Sequence, residues 1–192
     1  PLIISRTGWS SELGYEIFFR DSSAGDRLWE YLMEVGRPLG LHPGHTSSIR
    51  RIEAAMLSYH ADMTIKNNPF ELGMERLVNL DMGADFVSKS ALRRIKDEGV
   101  AQLLVGLEIE GPALANSNDE HWPITKDGKV VGRVSSAIYS PRLRKNIALA
   151  MVARQCAEIG TRAVIDTFAE PRICEVVPKP FYDPKKSLAA QT

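Results

Sequence analysis

The chain has 192 residues, of which 24 are basic and 24 acidic, so its formal net charge at pH 7 is zero. This balance argues against an electrostatic nucleic-acid binder, and no apolar run approaches the length of a membrane span, so we predict neither partner. Hydrophobic residues make up 44% of the chain and charged residues 25%, as in soluble globular proteins. Cys156 and Cys174 lie far apart without a CxxC motif, which predicts free thiols in a reducing cytoplasm.

Residues 5–19 read as a strand end, a turn with glycines at its edges and a second strand. Alternation along the second strand puts Glu16 and Phe18 on the same face. A carboxylate among aromatic side chains needs N–H donors to offset its lost solvation, and a flat heterocycle with an amino group and a ring N–H would supply them. Trp9, in the turn, offers such a ring a flat wall. The alternative is an edge strand whose Glu16 faces water.

Helices are predicted on both sides of a polar glycine turn. The first follows the loop at residues 21–25 and ends at Gly36, and its apolar stripe places Trp29 in the core. The second is capped by a hydroxyl residue at 46–48, and its N-terminus is either simply capped or an anion site.

Two further elements are predicted after the second helix. An apolar strand is predicted at residues 77–80, and a short basic helix at 89–96 ends at Gly99. His42, His45 and His60, upstream of this segment, lack the spacing of metal ligands, so we predict no metal site.

From Ala101 onward, short apolar runs alternate with turn signals such as Asp127-Gly128. Strands are predicted at residues 102–109, 122–124, 130–139, 146–152, 163–168 and 172–177. Such closely spaced strands are typical of a small barrel or sandwich. We therefore predict an α+β fold with one domain at 1–98, a second at 101–178, and a tail at 179–192 that lies on the surface or frays.

The chain begins at Pro1 without an initiator methionine, and a strand is predicted from its first residues. This start suggests a fragment of a longer protein, and a missing part would leave an apolar face exposed. Self-association into a homodimer is one way to cover such a face.

Five segments, in this order, resemble the tetrahydrofolate-dependent aminomethyltransferase superfamily, typified by the T-protein of the glycine cleavage system. The segments are residues 5–17, 51–59, 68–71, 85–92 and 132–150. One such motif would be weak, but five in register over nearly the whole chain are specific.

The resemblance implies a fold and a cofactor. The chain would be the second half of a three-lobed ring, with a ferredoxin-like α+β region followed by a C-terminal antiparallel β-barrel. The cofactor would be tetrahydrofolate, and the Asp placed beside its reactive nitrogen would lie in the absent N-terminal half, so no catalytic residue is assigned here. By position, Glu16 corresponds to the pterin-binding Glu and Trp9 to the aromatic residue of the turn.

Some positions depart from the T-protein pattern. Ser47 stands where the T-protein has a folate-contacting arginine, and Arg76 stands where it has a tryptophan. Residues 8–10, 14–17, 67–71 and 78–81 look more like the dimethylsulfoniopropionate demethylase branch, which moves a methyl group from a sulfonium to tetrahydrofolate. That branch tends to carry Tyr where this chain has Phe18, which would still offer a cation–π face. Arg76 or Arg51 could meet a carboxylate of the substrate or the folate tail.

Three hypotheses follow. The first is an enzyme that, in full-length form, transfers a methyl or aminomethyl group from a small-molecule donor to tetrahydrofolate. This enzyme would be most similar to a dimethylsulfoniopropionate demethylase. The alternative is a true glycine cleavage aminomethyltransferase. Its cofactor-binding residues would be Trp9, Glu16, Phe18 and Arg76. The second is a folate-binding relative without transfer chemistry, and the third is an inactive structural fragment.

Overall fold

The computed structural model describes residues 2–45 and 47–190, which form a two-stranded sheet, four helices and a closed barrel. The strands are β1 (Leu2–Ser5), β2 (Glu16–Phe19), β3 (Gln102–Ile109), β4 (Trp122–Lys126), β5 (Lys129–Ser140), β6 (Lys145–Ala153), β7 (Arg162–Asp166) and β8 (Pro171–Val177). The helices are α1 (Gly25–Gly36), α2 (Ser48–Glu53), α3 (Lys89–Glu98) and α4 (Ser187–Ala190). No helix among these residues is long and apolar enough to span a bilayer.

The six strands from β3 to β8 close into an antiparallel barrel in the order β3, β6, β5, β4, β7, β8. This confirms the mixed fold with a small barrel and decides against a sandwich. Asp127 and Gly128 have φ of +50° and +74° between β4 and β5, as expected for an Asp-Gly hairpin turn. The proposed domain boundary falls between the end of α3 and the start of β3, and the independence of the two parts stays a prediction.

Strand β6 is apolar on both faces and joins the barrel to the first part of the chain. Ala148, Ala150 and Val152 point into the barrel core. The intervening side chains point outward, where Ile147 and Leu149 pack with Ile52 of α2. A strand buried on both faces reads as one continuous apolar run, which is the pattern of residues 147–152.

Strand β5 carries a bulge where it pairs with β6. Val134 pairs with Ala150 and Ser136 pairs with Leu149, so Ser135 is an extra residue in the ladder. A bulge of this kind re-aims side chains that would otherwise alternate. Here it lets the hydroxyls of Ser135 and Ser136 both approach one carboxylate, Asp62.

That carboxylate is the centre of a buried polar cluster. Asp62 Oδ2 accepts a hydrogen bond from Arg51 Nη1 at 2.9 Å, and Oδ1 accepts from Ser135 and Ser136 at 2.6 and 2.7 Å. The backbone N–H of Ser58 also donates to Oδ2, at 2.9 Å. Arg51 Nη2 donates to Ser136 Oγ at 2.7 Å. The cluster therefore ties α2 and its following loop to β5 of the barrel.

Two predictions for the first part of the chain are wrong. Trp29 is 54% exposed rather than in the core, because α1 buries only Met33 and Gly36. Residues 77–80 form no strand, since Glu75–Leu77 is a single 3₁₀ turn and Leu77 is 65% exposed.

The two-stranded sheet of β1 and β2 has an open face, on which Ile3, Ile4 and other apolar side chains are exposed. Self-association through this surface stays a prediction.

The C-terminal segment begins as part of the packed structure. Phe181 packs against the cluster of Ile52, Ile147 and Leu149. The N–H groups of Phe181 and Tyr182 donate to the carbonyl of Glu53 at 2.9 and 3.0 Å. The expectation of a surface tail from residue 179 therefore does not hold for residues 179–182.

The polar cluster yields a stability prediction. We expect Asp62→Ala to lower the free energy of unfolding by about 3–5 kcal/mol, because it leaves the buried Arg51 without its carboxylate. Urea unfolding measures this change. The exposed Asp97 at the end of α3 is a matched control, and Asp97→Ala should change the value by less than about 0.5 kcal/mol. A loss below about 1 kcal/mol for Asp62→Ala would contradict the role given to the cluster.

Candidate functional site

A groove of about 660 Å³ lies between the β1–β2 turn, the loop after α2, the turn at residues 72–77 and the C-terminal segment. We call it the large groove. Its lining includes the apolar side chains of Met56, Leu57 and Leu72. Its full lining is Trp9, Ala54, Ala55, Met56, Leu57, Met63, Leu72, Gly73, Met74, Arg76, Leu77, Lys179, Pro180, Pro184, Lys185 and Lys186.

Trp9 presents its ring at one side of the large groove. The side chain is 46% exposed, and the guanidinium carbon of Arg51 lies 5.5 Å from the ring centroid. Because Asp62 holds Arg51 in place, the cation–π contact fixes Trp9 as well. The aromatic wall of the groove is thus positioned by the same cluster that joins the two parts of the chain.

A smaller groove of about 230 Å³ lies within the β1–β2 turn. We call it the turn groove. It shares Met56 and Lys186 with the large groove, so the two are adjacent. Thr7 lines the turn groove, and its hydroxyl donates to Glu16 Oε2 at the start of β2. Glu16 is otherwise exposed, which agrees with the alternative of an edge-strand carboxylate facing water.

Carboxylates and arginines form a network of ion pairs at the turn groove. Glu12 Oε1 accepts from Arg50 at 2.9 Å and from Arg142 at 2.7 Å. The guanidinium of Arg142 also lies 4.0 Å from the ring centroid of Tyr182. Through Glu12, the turn that carries Trp9 is fastened to α2 and to the barrel.

Glu53 is the buried member of this group, with its side chain 2% exposed. Ser140 donates to Oε1 at 2.6 Å, whereas Oε2 accepts no hydrogen bond from the described residues. Burial raises the pKa of Glu53 above its ordinary value, the Ser140 hydroxyl lowers it, and the nearby charge of Glu12 raises it. Arg50 and Arg142 lie 3.8 and 3.6 Å from Oε2, a pairing that opposes the rise.

The structure brings together two of the four residues predicted to bind the cofactor. Trp9 and Arg76 both line the large groove. Glu16 and Phe18 lie on β2, outside the lining of that groove, and Phe18 is 53% exposed. Glu16 is linked to the turn groove only through Thr7. Its pterin-binding role, and that of Phe18, stay predictions.

Sequence reasoning missed the lysines of the C-terminal segment. Lys179, Lys185 and Lys186 line the large groove, although their Pro- and Lys-rich run reads as a solvated tail. The available signal was Phe181, an apolar residue in that run that packs against the core. Once Phe181 is anchored, the neighbouring lysines are held beside the groove.

The α2 N-terminus is capped in the ordinary way. Ser47 accepts a hydrogen bond from the Arg50 backbone N–H at 3.3 Å, which confirms one of the predicted caps. Thr46, another candidate cap, lies outside the described residues.

Across residues 2–45 and 47–190, His, Cys, Asp and Glu form no group of three or more that could hold a metal ion. Cys156 and Cys174 are buried free thiols, and burial raises the pKa of Cys174 to about 11.

Two family models match the sequence in succession. Residues 1–82 match the GCVT N-terminal domain. Residues 103–183 match the glycine cleavage T-protein C-terminal barrel domain, a range that contains the observed barrel almost entirely.

Curated relatives include two kinds of enzyme. An aminomethyltransferase of Synechococcus sp. (strain RCC307) is 38% identical over 183 residues, covering 95% of this chain and 49% of the relative. Dimethylsulfoniopropionate demethylase DmdA of Ruegeria pomeroyi is 36% identical over 166 residues, covering 86% of this chain and 44% of the demethylase. The chain therefore spans about half the length of the curated relatives it matches.

A solved structure shares the fold. The crystal structure of glycine cleavage system aminomethyltransferase T from Bartonella henselae aligns with a TM-score of 0.79 at 19% identity. The alignment covers 95% of this chain and 50% of that chain.

The surroundings of Glu53 predict a dependence of stability on pH. A carboxyl whose pKa is higher in the folded than in the unfolded chain binds more protons when folded, so its contribution to stability falls as pH rises above about 4.5. Glu53→Gln removes this titration. We therefore expect the free energy of unfolding of the native chain, relative to Glu53→Gln, to decrease from pH 4 to pH 7.

Urea unfolding of both chains across this pH range measures the difference. The exposed Glu30→Gln change on α1 is the matched control and should give a nearly constant difference. A native chain that gains stability relative to Glu53→Gln as pH rises would contradict the prediction, because attraction by Arg50 and Arg142 would then outweigh burial.

Proposed function

The chain belongs to the glycine cleavage T-protein superfamily, and from this premise we propose that the protein transfers a one-carbon unit to tetrahydrofolate. The observation that carries the proposal is the large groove, whose lining combines apolar side chains and the Trp9 ring with the cations Arg76, Lys179, Lys185 and Lys186. Folate has the complementary form, since a flat heterocycle and a benzoyl ring lead to an acidic glutamate. When bound, tetrahydrofolate would supply the nitrogen that accepts the one-carbon unit.

The chain's own residues would bind and orient the folate. Glu16 would accept paired N–H donors of the pterin, with Thr7 holding the carboxylate at the edge of the turn groove. Trp9 would pack on the flat part of the ligand, and Arg76 would meet a carboxylate. Positioning of this kind supplies much of the rate when the reacting nitrogen belongs to the ligand and not to a side chain.

The one-carbon donor has two candidate classes. A sulfonium, as in dimethylsulfoniopropionate, is supported by the motif resemblance at residues 8–10 and 14–17 and by the demethylase relative. An aminomethyl donor is supported at least as well, because several relatives at 35–38% identity are aminomethyltransferases. The exposed rings of Trp9 and Phe18 suit a sulfonium through cation–π contacts. The cytoplasmic location stays a prediction.

Folate binding is the first test. Calorimetric titration of the chain with tetrahydrofolate should show micromolar binding that Glu16→Ala weakens by about 30-fold or more, through lost charge-assisted hydrogen bonds. Trp9→Ala should weaken it by about tenfold, through lost ring contact. Glu30→Ala, which removes an exposed carboxylate on α1, should leave the affinity unchanged. Equal binding by Glu16→Ala would remove Glu16 from the pterin site, and no binding by the native chain would contradict the proposal for this chain.

Product analysis then separates the donor classes. Incubation with tetrahydrofolate and dimethylsulfoniopropionate should yield methylated folate if the sulfonium candidate is right, whereas an aminomethyl donor should yield methylene folate if the alternative is right. Mass spectrometry distinguishes the two products. Folate binding without either product would favour a binding relative that lacks transfer chemistry.

A further inference from the structure

Arg142 lies between β5 and β6, and its side chain contacts three elements outside the barrel. Nη2 donates a hydrogen bond to Glu12 Oε1 in the β1–β2 turn at 2.7 Å. Nη1 lies 3.6 Å from Glu53 Oε2 of α2. The guanidinium carbon lies 4.0 Å from the ring centroid of Tyr182 in the C-terminal segment. One side chain of the barrel therefore joins the turn, the helix and the C-terminal segment.

The three contacts use different parts of the guanidinium group. This group is planar and holds its N–H donors in a fixed fork, so its nitrogens can meet carboxylates while its face covers a ring. In Arg142, one terminal nitrogen meets Glu12, the other faces Glu53, and the group lies over Tyr182. A lysine ammonium has no flat face and could not make all three contacts.

Buried hydrogen bonds at the end of β5 fix the backbone next to Arg142. Ser140 Oγ donates to Glu53 Oε1 at 2.6 Å and accepts from the backbone N–H of Leu143 at 3.1 Å. Ser140 is fully buried, and the Glu53 side chain is 2% exposed. The connection that carries Arg142 is thus tied to the same carboxylate that Arg142 faces.

The β1–β2 turn depends on polar contacts for its position. Glu12 pairs with Arg50 and Arg142, and Trp9 contacts the guanidinium of Arg51. The strands on either side of the turn leave several large apolar side chains exposed, so they bring little packed surface to hold it. The ion pairs of Glu12 are therefore a main restraint on this turn.

Arg142 is not among the residues that line the large groove or the turn groove. It would therefore act on a ligand only through the residues that it holds. Glu12 lines the turn groove, and Trp9 of the same turn lines the large groove. Tyr182 belongs to the segment that carries Lys186, which lines both grooves. Arg142 thus holds two sides of the candidate site together from outside it.

Resting on the function proposed above, we propose that Arg142 is a positioning residue for the folate. It holds the β1–β2 turn against the barrel and the C-terminal segment, so that Trp9 and Glu16 meet the ligand in one arrangement. The ligand then does not have to order the turn as it binds, and binding is correspondingly tighter.

Arg142→Gln removes the charge while keeping part of the side chain. We expect calorimetric titration with tetrahydrofolate to show about fivefold weaker binding than by the native chain. Arg142→Lys keeps a charge for Glu12 and should recover the affinity to within about twofold of native. Arg94→Gln on α3 removes an exposed cation and should leave the affinity unchanged. Equal binding by Arg142→Gln and the native chain would overturn the proposal.

Trp9 reports the position of the turn without any ligand. Trp29→Phe and Trp122→Phe together leave Trp9 as the single tryptophan of the chain. In this background, Arg142→Gln should make Trp9 more accessible to quenching by acrylamide, because the turn has lost its tie to the barrel. Arg94→Gln should leave the quenching unchanged. A variant that is less stable in urea but has native quenching and affinity would show a structural role only and would overturn the proposal.

A double-mutant cycle tests whether Arg142 acts through the turn. Glu12→Gln removes the same ion pair from the other side, so it should also weaken folate binding. The double variant Glu12→Gln/Arg142→Gln should bind less than about twofold more weakly than Glu12→Gln alone, because the two residues act as a unit. Effects that multiply would show that Arg142 acts independently of Glu12, contrary to the proposal.

The failure of this proposal differs from the failure of the proposed function. Equal affinity of the native chain and Arg142→Gln for tetrahydrofolate would overturn the positioning role and leave folate binding supported. No binding by the native chain would contradict the folate proposal, and the quenching of Trp9 would then decide the role of Arg142. Increased quenching in Arg142→Gln would support its hold on the turn, whereas unchanged quenching would overturn both proposals.

Discussion

The buried pair of Arg51 and Asp62 is the interaction on which the arrangement of this chain depends. It joins α2 to β5, and it works because the bulge at Ser135 turns two adjacent hydroxyls toward one carboxylate. Because both charges are buried and hydrogen-bonded, removing either partner would leave the other charge uncompensated. The same Arg51 then contacts Trp9, so the geometry of the polar cluster is transmitted to the candidate ligand groove.

The charges of the molecule fall into two groups with different tasks. Around α2, arginines and carboxylates neutralise one another and hold the turn, the helix and the barrel in register. Among the described residues that line the large groove, cations lie beside apolar side chains and no carboxylate is present. The zero net charge of the whole chain conceals this division. Local charge distribution, and not the total, identifies the surface that suits an anionic ligand.

The sequence predicted the barrel well because each strand is a short apolar run bounded by turn residues, and pairing within the barrel buries those runs. It predicted Trp29 wrongly because an apolar stripe shows which face of a helix could be buried but not whether a neighbour covers it. The bulge at Ser135 has no local signal, since it arises from pairing between β5 and β6. Trp9 and Arg76 lie 67 positions apart in the sequence and share a groove because of tertiary contacts. Motif spacing does not predict such contacts.

The two-faced burial of β6 bears on how such chains can be rearranged. Its inner side chains complete the barrel, and its outer ones, Ile147 and Leu149, are covered by Ile52 and Phe181 from outside the barrel strands. A barrel cut out at its own strand boundaries would expose that apolar stripe to water. Burial of this stripe therefore couples the barrel to α2 and to the C-terminal segment. A recombined or fused barrel would need another apolar surface in the place of Ile52 and Phe181 to keep that stripe from water.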